Sequence, residues 1–203
     1  AAIILPAITS PMPFKEIKKS RFYEIGKRIL DILFSIILII FFLPVVILAA
    51  VAIKLDSKGP VLADTPERVG KNGKLFKMYK FRSMIQNAHE ILRENPRFSK
   101  FFEDYKKGSY KLKDDPRITG VGGFIRHYSL DEVPQLLNVL KGEMSLVGPR
   151  AYYPDELRNQ QRKYPNTRDS VKVVLSVKQG ITGYWQVSGR SEINFDKTIA
   201  MDA

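Results

Sequence analysis

The chain has 203 residues, with 33 Lys and Arg against 21 Asp and Glu, a net charge of +12 and no cysteine. That length allows one domain with a real core, the missing cysteines exclude disulfides and thiolate metal sites, and two histidines, His89 and His127, are too few for a His-rich zinc site. The positive balance suits nucleic acid, anionic lipid or phosphorylated substrates and does not choose among them.

Residues 1–22 are proline-rich, show no long periodicity before their basic stretch, and read as a linker or the tail of an upstream region. Residues 23–57 read as a membrane helix. From Ile32 to Ile53 the sequence is "ILFSIILIIFFLPVVILAAVAI", uncharged and interrupted only by Ser35 and Pro44. A straight helix of that run reaches about 33 Å, enough to cross a bilayer. Pro44 removes a hydrogen bond and bends the helix, and broken there neither arm alone crosses a hydrocarbon core of about 30 Å. Both flanks are basic: Lys15, Lys18, Lys19, Arg21, Lys27 and Arg28 before, Lys54, Lys58 and Arg68 after. The positive-inside rule is met on both sides if both ends are cytoplasmic. The expectation is a re-entrant helix that enters, bends at Pro44 and returns. Asp31 lies one turn after Lys27 and Arg28 on the same helical face, where pairing would let it sit at headgroup level.

Residues 58–203 follow as one further domain. "VGKNGKLFKMYKFRSM" is a hairpin around Asn72-Gly73; in its second strand Phe76, Met78, Lys80 and Arg82 alternate onto one face. Two cations on one face suggest an anion site or an edge strand guarded by lysines. Residues 85–107 are helical but broken by Pro96, with an aromatic stripe of Phe98, Phe101, Phe102 and Tyr105 that is either core or interfacial. Asp114 and Asp115 before Pro116 are turn chemistry, and "GVGG" at 120–123 is a weak glycine signal. The chain stops inside a predicted helix after "QGITGYWQVSGRSEINFDKTIAMDA", as a truncated domain would.

The segment "HYSLDEVPQLLNVL", residues 127–140, places Asp131 beside Glu132 before an apolar run. One reading is a helix cap: Ser129 and Glu132 match a capping box, or Asp131 caps a helix with Pro134 early in it; Gly142 then ends the helix. The other is chemical. Arg117, Arg126, Arg150 and Arg190 each stand beside a glycine, a proline or a predicted cap, and an arginine fork suits phosphate oxygens. Two carboxylates at a helix start could then face phosphate with magnesium between them.

Taken together, "KRILD" at 27–31, the proline-broken run, "KFRSM" at 80–84, "DPRITGVGGFIRHYSLDEVPQLLNVLKGEMSLVGPR" at 115–150 and "GITGYWQVSGR" at 180–190 resemble the bacterial sugar transferases, or monotopic phosphoglycosyl transferases. The insert after "KFRSM" and the "YWQVSGRS" ending are similar to members that move galactose or glucose phosphate onto undecaprenyl phosphate. The resemblance implies an α+β, mainly helical fold: a re-entrant membrane helix with a proline break, a small β-hairpin, and interfacial amphipathic helices around an active site on the cytoplasmic face of the bacterial inner membrane. It implies a UDP-sugar and a polyprenyl phosphate as substrates, and Mg2+ as cofactor. Asp131 would be the nucleophile forming an aspartyl phosphosugar, and Glu132 would bind metal with it or handle a proton. Lys80, Arg82, Arg117, Arg126, Pro149, Arg150, Gln186 and Arg190 would contact substrate; Lys27, Arg28, Asp31 and Pro44 would serve the membrane helix. A homodimer is compatible with it. Two departures stand out, Ala151 where the family has proline after Pro149-Arg150, and Gln179 where many members have proline before "GITG". The competing readings are a membrane-anchored basic binding protein and a structural partner in a polysaccharide export complex; no nucleic-acid motif is present.

Overall fold

A computed structural model describes residues 20–107, 112, 114–188 and 194–203. In chain order the elements are α1 (Arg21–Asp56), β1 (Arg68–Val69), β2 (Leu75–Phe76), α2 (Ala88–Glu94), α3 (Ser99–Lys107), α4 (Gly120–His127), α5 (Gln135–Lys141), β3 (Ser145–Val147), α6 (Pro154–Lys163), α7 (Arg168–Leu175), β4 (Gly180–Thr182), α8 (Tyr184–Ser188) and α9 (Phe195–Asp202). The strands form two small pairs. β1 and β2 are antiparallel, with Arg68 opposite Phe76, and β3 and β4 are parallel, with Ser145 opposite Gly180. The hairpin expected at Asn72-Gly73 is present, both residues holding positive φ of 57° and 77°, the backbone that this turn type requires. Its second strand is shorter than its sequence alternation suggests. Beyond Phe76 the chain stays extended and pairs singly, Leu62 with Phe81 and Met84 with Ile118. The proline break in 85–107 is also present: a short 3-10 turn, Pro96–Phe98, separates α2 from α3.

Three buried clusters hold the body together. One gathers Val69, Tyr152, Leu157, Val171, Val174, Phe195 and Ile199 under α6, α7 and α9. A second joins the hairpin to α5 and β3 through Phe76, Met78, Val139, Met144 and Ala151. The third ties α1 to the body through Ala49, Ile53, Phe81 and Ile125. Two glycines permit contacts that side chains would forbid. A Cβ on Gly122 would fall 2.0 Å from the Ser83 carbonyl oxygen, and one on Gly180 would fall 2.1 Å from the Gly148 nitrogen. The weak "GVGG" signal is thus the place where α4 lies directly on the "KFRSM" segment.

α1 differs from expectation at Pro44 and at Arg28. Its helix is assigned without interruption across Pro44, so the proline removes one rung but does not split the element. Its two ends nonetheless dock on the same body. Near the first end, the Asp31 carboxylate is buried and accepts from the Ser145 hydroxyl at 2.9 Å and the Leu146 N–H at 3.1 Å, with Lys27 at 3.3 Å. Arg28 is not paired with Asp31, as the spacing suggested. Its guanidinium donates to the carbonyls of Val139 and Leu140, the last turn of α5, where unpaired carbonyls and the helix dipole both favour a cation. At the other end, Arg82 does the same for α1, donating to the carbonyls of Ser57, Lys58 and Ile53. Between them, residues 36–48 include none that is buried, and Ile40, Phe41 and Leu48 are exposed by 67%, 72% and 70%. Among the described residues this is the one helix long and apolar enough to cross a membrane. An uncovered apolar surface of that extent belongs in lipid.

Candidate active site

Asp131 and Glu132 lie on a 3-10 turn, Leu130–Glu132, between α4 and α5. Neither capping arrangement forms. Ser129 sits in the left-handed region at φ 57° and makes no capping bond, and α5 begins at Gln135 behind Pro134 without a side-chain cap. Gly142 does end α5, at φ 83°. A serine at positive φ is uncommon; here it reverses the chain after α4. The Phe81 N–H donates to the Asp131 carbonyl at 3.0 Å, which fixes "KFRSM" beside the turn. Lys80 then reaches both carboxylates, 2.8 Å from Glu132 and 3.7 Å from Asp131.

Asp131 is 8% exposed. Burial pushes its pKa above the usual carboxylate range; Lys80 and Arg126 oppose this, and Glu132 adds to it. A carboxylate in low dielectric with one shared cation benefits from further positive charge. The two carboxylates converge on a single cation, the Lys80 ammonium, and a cation bound by one or two carboxylates and completed by phosphate oxygens is the usual magnesium arrangement. The donor set therefore fits Mg2+, although no group of three or more acidic or histidine side chains able to hold a metal unaided occurs among the described residues.

The turn forms part of the wall of a cavity of about 1310 Å³, larger than a typical single-ligand pocket of about 300–1,000 Å³. Its lining includes apolar side chains, among them Leu38 and Phe42 of α1 with Pro60 and Leu62, and also Arg150, Trp185 and Gln186. Of the residues expected from sequence, Lys80, Arg82, Arg117, Arg126, Arg150 and Gln186 all line it. They differ in what they hold. Arg126 is exposed and makes no side-chain hydrogen bond or ion pair among the described residues. Arg150 lies against Glu156 at 3.1 Å and over the rings of Tyr152 and Trp185. Gln186 donates to the Ile181 carbonyl at 3.0 Å. Arg82 is directed to the end of α1. Arg117 is 2% exposed and grips Asp115 with two bonds, 2.8 and 2.6 Å, while donating to the Ala88 carbonyl at 2.9 Å. Burial alone would raise the Asp115 pKa, but these bonds outweigh it and hold the group below its usual range. Pro149 is buried, and its carbonyl accepts the Gly180 N–H at 2.9 Å, so it shapes the wall from behind. Arg190 lies outside the described residues.

Sequence reasoning did not place Arg68, His89, Tyr105 or Tyr153 at the site, which they also line; Tyr105 was legible as part of an aromatic stripe. Arg68 was legible only as one more flanking cation, and His89 as one of two histidines.

The profile of the bacterial sugar transferase family matches residues 22–203. The chain belongs to this family. The chain is 44% identical over 186 residues to the undecaprenyl-phosphate galactose phosphotransferase of Salmonella typhimurium, covering 92% of the chain and 37% of that protein. It is 36% identical over 178 residues to the exopolysaccharide production protein ExoY of Sinorhizobium fredii, covering 88% and 75%. With the undecaprenyl-phosphate glucose phosphotransferase of Komagataeibacter xylinus it shares 39% over 163 residues, covering 80% and 28%. The chain thus spans about a third of the length of the galactose and glucose phosphotransferases it matches.

Proposed function

We propose that the chain transfers sugar-1-phosphate from a UDP-sugar, galactose or glucose, to undecaprenyl or a related polyprenyl phosphate, as the first membrane step in building a polysaccharide. The relatives' named activities support the substrate classes. One observation carries the chemistry: Asp131 is a buried carboxylate that caps no helix, in the wall of a large basic cavity that is also lined by Leu38 and Phe42 of α1.

In the first step an Asp131 carboxylate oxygen attacks the sugar-linked phosphorus. The bond to the bridging oxygen breaks, its electron pair goes to that oxygen, and UMP departs, leaving an aspartyl phosphosugar. In the second step an oxygen of polyprenyl phosphate attacks the same phosphorus and the Asp131 carboxylate leaves, restoring the enzyme. A carboxylate nucleophile divides one difficult transfer into two easier ones. Mg2+ held by Asp131 and Glu132 would neutralise charge on the phosphoryl oxygens. Lys80 orients both carboxylates, and Arg126 faces the cavity without an ion-pair partner among the described residues. Ion-paired Arg117 and helix-capping Arg82 serve as positioning residues.

The re-entrant geometry is part of the same proposal. Both ends of α1 dock on one body while Ile40, Phe41 and Leu48 between them are uncovered, which favours a helix that dips into the cytoplasmic face of the inner membrane over a crossing. The acceptor phosphate, at headgroup level, then meets Asp131 without chain crossing. The test is a panel of UDP-sugars with undecaprenyl phosphate in lipid discs. UMP release and a phosphosugar adduct on Asp131 by mass spectrometry are expected from the native chain, and neither from Asp131→Asn. Turnover retained by that variant removes the covalent mechanism.

A further inference from the structure

One lobe of the cavity is not used by the chemistry at Asp131. It is built by Arg68 from β1, His89 from α2, Arg117, and Tyr153 just before α6. The Arg68 guanidinium lies 3.3 Å from the Tyr153 ring centroid, and the His89 ring meets Tyr153 edge-on at 6.1 Å. Three guanidiniums, from Arg117, Arg93 and Arg68, act electrostatically on His89. Two of them are answered: Arg117 by Asp115 at 2.6 Å, and Arg93 by Asp155 at 3.4 Å. Arg68 is not. It is buried, donates once to the Ala151 carbonyl at 3.2 Å, and its Nε has no hydrogen-bond partner; among the described residues no carboxylate is ion-paired with it. A buried cation without a counter-charge is expensive to keep, so an anion is the missing partner. The lobe also offers flat rings, which suit a planar base.

We infer that the Arg68–His89–Tyr153 lobe holds the nucleoside 5′-phosphate half of the sugar donor, the half that departs. This rests on the donor being a UDP-sugar. The segment joining the lobe to the nucleophile is fixed at both ends, by Phe81 to Asp131 and by Ile85 to Arg117. Four residues span at most about 14 Å, within reach of one extended nucleotide. When the bridging bond breaks, UMP gains the electron pair and a full negative charge. A cation with no carboxylate of its own is best placed to receive that charge, whereas a neutral sugar gains little from it.

Burial, with the three arginines, holds the His89 pKa down to about 4, so the imidazole reports on anions beside it. The experiment follows the two histidine imidazoles by NMR in the native chain in lipid discs, with His127→Gln used to separate the signals. UMP is expected to move the His89 resonance and raise its pKa, because a bound dianion offsets the arginines. Undecaprenyl phosphate is expected to leave it in place, and uridine to bind more weakly than UMP. Arg68→Gln is expected to weaken UMP about 10–100-fold, the usual effect of losing charged hydrogen bonds, with Arg68→Lys recovering part of the loss. Displacement of UDP-sugar by UMP without a response at His89 overturns the assignment while leaving the transferase reading intact. A response to undecaprenyl phosphate gives the lobe to the acceptor instead. If no UDP-sugar yields UMP, the donor reading fails and this assignment fails with it.

Discussion

Asp131 carries two opposed demands. In the proposed role of nucleophile it must be ionised, yet burial pushes its pKa up, and folding leaves Lys80, with Arg126, to counter this. The acidic limb of kcat/KM against pH is therefore expected above the ordinary carboxylate value of about 4. Lys80→Met removes the largest opposing influence and should move that limb to higher pH, which a pH–rate profile in lipid discs measures directly. The same shift predicts a stability effect. A raised folded-state pKa means that the folded chain binds a proton more readily than the unfolded chain, so stability falls as pH rises from the unfolded value through the folded one. Asp131→Asn abolishes that loss. Its melting temperature should match the native chain at low pH and exceed it at neutral pH, the reverse of what a lost helix cap would do.

The elements are joined by close backbone approaches and by arginines at helix ends. Gly122→Ala would drive a Cβ into the Ser83 carbonyl, and overpacking of this kind costs about 1–3 kcal/mol or more. Because Ser83 belongs to the segment that fixes Asp131, the variant should lower both melting temperature and turnover. Arg28→Leu strips the last carbonyls of α5 of their donor. Leaving such groups unsatisfied costs about 1–3 kcal/mol. The loss should appear as a lower unfolding temperature and as faster amide exchange at the end of α5, with Asp31 still held by Ser145 and Leu146.

For the molecule as a whole, the decisive property is that α1 is bound at both ends and between them exposes Ile40, Phe41 and Leu48. Labels placed before residue 24 and after residue 60 should react from the same side of a sealed vesicle. Labelling from opposite sides would replace the proposed dip by a crossing helix and would separate Asp31 from Ser145, contrary to their contact at 2.9 Å. Pro44→Ala restores one helical hydrogen bond and should stiffen the middle of α1. Turnover with undecaprenyl phosphate is expected to fall more than UMP release in the first half-reaction, because α1 contributes the apolar side chains of Leu38 and Phe42 to the cavity and none of its arginines. Comparing single-turnover adduct formation with steady-state rates checks this.

Local pattern alone determined the long apolar helix, the Asn72-Gly73 hairpin, the break at Pro96 and the end of α5 at Gly142, because each depends on neighbours in sequence. It also marked Asp131, Glu132, Lys80, Arg126 and Arg150, whose side chains do meet one cavity. Local pattern could not say what each cation would touch. Arg82 and Lys80 share a strand face in the sequence alternation, yet one turns to the carbonyls ending α1 and the other to the acidic pair. Asp31 and Arg28 share a helical face, yet one meets β3 and the other α5. Those partners lie far away along the chain, and charged groups leaving water take whichever counter-charge or carbonyl packing brings within reach. Arg68 read only as a flanking cation for the same reason: an arginine matters as a buried, unanswered charge only once folding has removed its water and supplied no carboxylate.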